Sequence, residues 1–318
     1  MAFLAWVGLG ADGLSSSCYG PEEAYLALRG HVHLAIFLAI ATAGTVLVIS
    51  HSYKIIMELF PGGGGGYVVA TRLLGGTAGV VSGAALTIDY ILTISISVAS
   101  GVNALFSFLP VAWLPFRLAI AALAILALIY LNLRGVKESI RILLPIFLIF
   151  LLTHAMVIVL GIVRHTTALP HLLVDTAQDT RLAVGELGVW GVIFLFFKAY
   201  SLGGGTYTGI EAVSNGLPML REPRVQTGKT TMNLMAASLA LTAGGLLVCY
   251  LLNAVQPAHG RTLNAQLTDT VLGGLHPFGL PIGPILAIVT LVSEAALLFV
   301  AAQTGFLDGP RVLSSSRT

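Results

Sequence analysis

GLGADGLSSSCYG (residues 8–20) and AYSLGGGTYTGIE (residues 199–211) are clusters of glycine, serine and threonine set in the middle of otherwise apolar runs. Such clusters invite a helix to unwind, and unwound backbone at membrane depth survives only where it lines a cavity inside the protein. The runs around them set the class of the molecule. Of 318 residues, 56% are hydrophobic and only 9% are charged, too few for a water-compatible surface. Eight apolar runs of membrane-spanning length follow one another, at roughly 2–28, 33–60, 75–109, 114–132, 140–163, 186–217, 230–254 and 280–307. The expected fold is all-α and polytopic, with the lipid bilayer as solvent.

The composition excludes several other classes. A net charge of +2 is too small to argue for nucleic acid. Cys18 and Cys249 both lie in apolar segments, so neither a disulfide framework nor metal spacing is present, and no cofactor is implied. The first segment has no basic leader and is interrupted by Asp12, unlike a signal peptide. Gly62–Gly66 lacks the GK[ST] that completes a phosphate-binding loop and reads as a connection. With a cytoplasmic N-terminus, the inner side holds Lys54, Arg72, Arg134, Lys137, Arg141, Arg221, Arg224, Lys229, Arg311 and Arg317. The outer side holds Arg29, Arg117, Arg164, Arg181 and Arg261. The excess inside favours that orientation.

The two interrupted spans are the first and the sixth, so each opens a unit of five helices and the second unit is inverted relative to the first. A matched pair of interrupted segments is the sequence pointer to the binding site of inverted-repeat transporters. On this reading residues 1–163 form the first repeat, 164–185 an extracellular loop, and 186–318 the second repeat. Gly10, Gly13, Gly203, Gly204 and Gly205 are the expected break residues.

Four carboxylates fall inside spans: Asp12, Asp89, Glu211 and Glu294. Intramembrane acids are expensive to insert and are candidates for function by default. Asp89, Thr93 and Ser97 recur every four residues and so share one helical stripe. Thr208 and Glu211 follow the second break; Asp12 and Tyr19 flank the first. Any one of these alone could be a packing hydrogen bond, but together they predict a shared cavity. Carboxylates, hydroxyls and freed carbonyls are hard oxygen ligands suited to a small cation. An amino-acid substrate would need the freed N–H groups of a break for its carboxylate, and Asp12 would repel it. His51 and His154 stand singly within spans and read as packing. Lys198 either pairs with an acid or snorkels. Glu294 is either a proton carrier or the partner of Lys198. Glu22 and Glu23 are expected near the outer mouth.

Four ordered motifs carry a resemblance: GADGLSSSCYGPEEA (10–24), SHSYKIIMELFPGGGGGYVVATRLLG (50–75), SGAALTIDYILTISIS (82–97) and GGGTYTGIEAVSN (203–215). In these the chain resembles KimA-type potassium importers of the KUP family, within the amino acid–polyamine–organocation superfamily. The resemblance implies a LeuT-like core, a cell-membrane location, and uptake of potassium coupled to protons. It implies cation-site roles for Asp12, Tyr19, Asp89, Thr93, Ser97, Thr208 and Glu211, with Tyr90 in the same TIDY motif. Proton coupling falls to Glu211 and Asp12, and Glu294 and Lys198 are accessory candidates. That family has ten core spans, two further helices and a cytosolic dimerising domain, so a full-length form would be a homodimer. The present chain ends within or just after its eighth span, at SSSRT, so the second repeat is expected to be incomplete, as in a fragment or a truncated form.

Two rival readings remain beside it: a proton-coupled amino-acid or amine permease of the same superfamily, and a non-functional partial protein. An intramembrane aspartyl protease is a further one, since GLGAD (8–12) nearly matches GLGD and Asp89-Tyr90 reverses its YD.

Overall fold

The computed structural model describes residues 2–134, 140–167, 169–276 and 279–315. Among them are twelve α-helices: α1 (Ala2–Ser15), α2 (Gly20–Ala27), α3 (Ala35–Leu59), α4 (Gly65–Val69), α5 (Gly76–Phe106), α6 (Arg117–Leu133), α7 (Ile140–Val163), α8 (Leu169–Leu202), α9 (Ala212–Asn215), α10 (Arg224–Leu252), α11 (Leu263–Leu272) and α12 (Ile282–Ser315). Seven stretches among the described residues are long and apolar enough to cross a membrane. The eighth expected run, 2–28, falls short of that length only because it is split into α1 and α2. Of the basic residues used to orient the chain, Lys137 and Arg317 lie outside the described residues, as does the side chain of Arg311.

The split in the first run has a local cause. Ser15, Ser16 and Ser17 donate in turn to the carbonyls of Asp12 (2.7 Å), Gly13 (2.5 Å) and Leu14 (2.7 Å). These side-chain bonds occupy carbonyls that the end of a helix leaves open. A 3-10 turn, Ser16–Cys18, follows, and Pro21 opens α2, where the missing N–H is no loss. Gly10 and Gly13, expected to be break residues, are instead helical inside α1. A glycine within a helix costs only about 1 kcal/mol, which the packing of α1 overrides: Trp6, Val7, Ala11 and Leu14 are all buried in the core.

The second split is made by glycine itself. α8 leads into a 3-10 turn, Gly203–Tyr207; Thr208 is extended (φ −66°, ψ 147°) and Gly209 is left-handed (φ 80°) before the short α9. Earlier in α8, Gly188 (φ 73°, ψ 165°) makes a kink, and the segment 169–187 that precedes it is helical, where sequence polarity suggested a loop over 164–185.

The core forms around α1. Trp6 packs edge-on against Phe147 of α7 at 4.9 Å between ring centroids, and Met232, Met235 and Leu239 of α10 close the same cluster. A second apolar cluster joins α2, α3, α10 and α11 through Leu28, Leu38, Leu246, Leu247, Leu263 and Leu267. α5 lies along α12. The remaining faces expose large apolar side chains, including Leu118, Leu133, Trp190 and Phe194, as lipid-facing surface requires.

Close approach of the two broken spans depends on Gly20. A Cβ there would stand 2.0 Å from Thr206 Oγ1 and 2.7 Å from its backbone nitrogen. Gly20→Ala should therefore destabilise the protein by about 1–3 kcal/mol, seen as a lower melting temperature in detergent. Gly44→Ala, which meets nothing within 4 Å, should be neutral or slightly stabilising in the same measurement.

Candidate functional site

The two breaks lie against each other. Ser16 Oγ lies 2.6 Å from the Thr206 carbonyl, sharing its one proton between that oxygen and the Gly13 carbonyl, and the Tyr19 hydroxyl meets Thr208 Oγ1 at 2.9 Å. Gly209 sits so close that a Cβ on it would be 2.7 Å from Gly13 N and 2.8 Å from Asp12 Cγ. A Cβ on Gly205 would come within 2.8 Å of the Tyr19 ring, and one on Gly203 within 2.7 Å of Ala24 Cβ. Gly204 faces open space. The glycines of the sixth span thus allow contact with the first span as well as unwinding.

Proton accounting orients the hydroxyls. Thr208 Oγ1 donates to the Gly205 carbonyl at 2.9 Å, so its single proton is committed. The Tyr19 hydroxyl must then be the donor of the bond between them, which leaves the lone pairs of the Tyr19 oxygen available to accept. Asp12 and Tyr19 are both 5% exposed, and Asp12 and Asp89 act electrostatically on the Tyr19 hydroxyl.

Asp89 and Glu211 come together in a pocket of about 410 Å³ lined also by Tyr53, Tyr67, Ser82 and Asn215. Both acids are half-buried. Tyr90, the neighbour of Asp89, is buried and accepts from Asn215 Nδ2 of α9 at 3.3 Å. Thr93 and Ser97 lie one and two turns further along the same stripe of α5, both buried. The Ser97 hydroxyl is fully buried and makes no hydrogen bond to the described residues. Buried hydroxyls without a partner are rare enough to need an explanation, and an unplaced ligand is one.

The structure does not place Glu294 or Lys198 with this group. Lys198 is exposed on α8 and does not reach Glu294. Glu294, 1% exposed, faces His154 Nε2 of α7 at 3.4 Å and accepts from Asn264 Nδ2 of α11 at 3.2 Å. His154, read from sequence as packing, is therefore the partner expected of Lys198. Asn215 and Asn264 were not singled out by sequence reasoning, because each acts only through tertiary contacts. Among the described residues no group of three or more His, Cys, Asp or Glu could hold a metal ion. The side-chain polar atoms gathered at the breaks are oxygens.

Residues 7–309 match the family model described as amino acid permease. The chain belongs to the amino acid permease family. It is also 30% identical over 309 residues to the potassium transporter KimA of Bacillus subtilis (strain 168), a match covering 96% of this chain and 48% of that protein. The chain thus spans about half the length of the curated relative it matches. Family membership makes this a multi-pass permease domain and not an enzyme.

The Tyr19–Thr208 bond joins the two broken segments of the permease, and its removal should show as coupling. Tyr19→Phe and Thr208→Val should each lower stability by about 0.5–1.5 kcal/mol, and the double variant by less than the sum of the two. Strict additivity in denaturation of the purified protein would mean that the bond does not hold the segments together.

Proposed function

We propose that this permease domain carries the substrate site of a secondary active transporter of the KUP type, which takes up potassium together with protons. The proposed architecture is a LeuT-like core of inverted repeats with a cytoplasmic N-terminus in the cell membrane. The carrying observation is the oxygen set at the facing breaks: the Asp12 carboxylate, the acceptor lone pairs of Tyr19, and Thr208, with Asp89 and Glu211 beside them. In this reading Asp12, Tyr19, Asp89, Tyr90, Thr93, Ser97 and Thr208 surround the cation, and Glu211 and Asp12 exchange the proton. The unpartnered Ser97 hydroxyl supports a ligand along the α5 stripe, and the name of the 30% identical relative supports potassium as that ligand.

The family description favours a second reading, an amino-acid or amine substrate. Against an amino acid stands Asp12, whose carboxylate at the first break would repel that of the substrate, and three of the break N–H groups are already in use. Tyr19 N donates to Ser16 O (3.4 Å), Thr208 N to Gly205 O (3.3 Å) and Ala212 N to Gly209 O (3.2 Å). A substrate carboxylate would need such groups free.

Uptake by proteoliposomes separates the two. Under an inward proton gradient, the protein should accumulate rubidium as a potassium tracer, and amino acids should neither be taken up nor compete. Asp12→Asn should weaken potassium binding by about tenfold or more, because a buried carboxylate attracts a cation by more than the ~1.4 kcal/mol that factor represents. Glu211→Gln should make uptake insensitive to the proton gradient while changing potassium affinity less than Asp12→Asn does. Unchanged pH dependence in the Glu211→Gln protein would assign the proton to another group.

A further inference from the structure

A second pocket lies away from the breaks, at the end of the bundle where α5 stops and α12 starts. It holds about 330 Å³ and is lined by Ser107, Phe108, Leu109, Arg261, Asp269 and the first turns of α12. Its neighbours set its depth. α5 ends at Phe106 and α12 begins at Ile282, both in spans long and apolar enough to cross a membrane. The 3-10 turn Val111–Phe116 carries Trp113, 52% exposed, and is followed at once by Arg117. That turn packs on the residue before Arg261: a Cβ on Gly260 would stand 2.7 Å from Leu114 Cδ1. Tryptophan is enriched at the boundary between hydrocarbon and water, which places the pocket at the level of the lipid headgroups.

Two opposite charges share this pocket with apolar side chains. Arg261 precedes the N-cap of α11, and Asp269 stands on that helix about two turns further on, within reach of the long arginine side chain. The backbone beneath Arg261 is held. Its N–H donates to the Ala258 carbonyl at 3.2 Å, and Thr262 N donates to Ser107 Oγ at 3.0 Å. The helix that carries Asp269 is seated through Leu263, Leu267 and Val271, all buried in the second apolar cluster.

The pair does not exhaust its own hydrogen-bonding capacity. A guanidinium has five N–H donors, and a carboxylate has about four acceptor positions. Among the described residues the Arg261 side chain donates only to Asp269, the Asp269 side chain accepts only from Arg261, and the enclosed Arg261 Nε has no partner. An enclosed donor without an acceptor is rare enough to need an explanation, and an unplaced oxyanion is one. The two side chains are 32% and 46% exposed, and ion pairs in such a setting are weak. A guest carrying both signs can therefore bind beside the pair without first having to break a strong bond.

We propose that this pocket binds the headgroup of a phospholipid that carries a primary ammonium, of the phosphatidylethanolamine kind. The phosphate accepts from the free N–H groups of Arg261, as basic groups at headgroup depth allow, and the ammonium donates to Asp269. An acyl chain then runs over the apolar wall, where Phe108, Pro284 and Ile288 are exposed. A zwitterion matches the pair in number and in sign, so that four charges alternate. A lone anion or a lone cation would be attracted by one member and repelled by the other. A choline headgroup has the same charges, yet its quaternary ammonium has no N–H to give to Asp269. The site is separate from Asp12, Asp89 and Glu211, and it stands whatever the central pocket carries.

Native mass spectrometry of the purified protein with added lipid reads this site without any transport measurement. Phosphatidylethanolamine should be retained about fivefold or more tighter than phosphatidylcholine or phosphatidylglycerol with the same chains. Asp269→Asn should bring phosphatidylethanolamine down to the level of phosphatidylcholine. Arg261→Gln should weaken both of these lipids by a similar factor, and it serves if the first variant does not fold. Arg224→Gln, which breaks a different exposed ion pair with Glu222, should leave the preference as it is. Equal retention of the three lipids by the unsubstituted protein would overturn the proposal. So would a preference that survives in Asp269→Asn, or Arg261→Gln holding the lipids as tightly as the unsubstituted protein does. Displacement of the lipid by glycerophosphoethanolamine, the same headgroup without chains, would overturn the lipid and assign the pocket to a soluble zwitterion.

Discussion

Backbone polar groups cannot be left bare at membrane depth, and each one that is costs several kcal/mol. Two spans of this chain are broken there, so the carbonyls and N–H groups freed by each break must be satisfied from nearby. The solution is mutual. The serine run 15–17 folds its hydroxyls back onto the end of α1, and Ser16 also reaches the Thr206 carbonyl across the gap. Such contact requires that backbone meets backbone, which is why Gly20 and Gly209 stand at the points of closest approach. The rest of the fold serves that meeting. α1 is buried along much of its length between α7, α10 and α12, so the break has protein on its sides in place of lipid.

The same pressure explains what could be read in the sequence and what could not. Glycine and serine clusters inside apolar runs are a local signal, and the two breaks were visible because local chemistry makes them. Their positions were less visible. Gly10 and Gly13 drew attention, yet helical packing against Trp6 and Met235 holds them in α1, and the chain departs from the helix where three hydroxyls compete with the backbone. The helical period placed Asp89, Thr93 and Ser97 on one stripe, but the stripe's direction is a tertiary matter. Asn215 reaches Tyr90 from 125 residues away, and no spacing rule encodes that. His154 shows the limit most sharply: a lone histidine in an apolar helix carries no mark of the acid 140 residues later that faces it. Nor did the polar sequence LNAQLTDTVL (263–272) suggest a helix whose Leu263, Leu267, Val271 and Leu272 are buried beneath the membrane-spanning bundle's second apolar cluster.

The charges of the chain are divided between two regions that meet at the first break. On one side Asp89 and Glu211 line the cavity, and Asp12 is buried at the end of α1. On the other, Glu294 and Glu22 lie near Cys18, the last residue of the 3-10 turn. Uncompensated buried carboxylates in such numbers would oppose folding, so counter-charge must come from somewhere. Three basic residues pair with acids at other positions: Lys229 with Glu58, Arg224 with Glu222, Arg261 with Asp269. Lys198, exposed on α8, is not paired with Glu294. In the function proposed above, protons and small cations are the mobile positive charges that would enter.

This dependence also gives the first break a means to join the two regions. Its polar groups point both ways: the Ser16 and Tyr19 hydroxyls bind the sixth span, while the Cys18 carbonyl accepts from Asn264. A change in positive charge on either side alters the pull on a segment of only a few residues whose backbone is already outside the helix. Short, irregular backbone absorbs rotation more readily than a hydrogen-bonded helix does. The break is therefore both where a substrate cation would be held and the part of the chain best able to move when it arrives. Coupling between cation and proton, if the protein works as proposed, would need no long path through the bundle, because Cys18 and Tyr19 are adjacent residues.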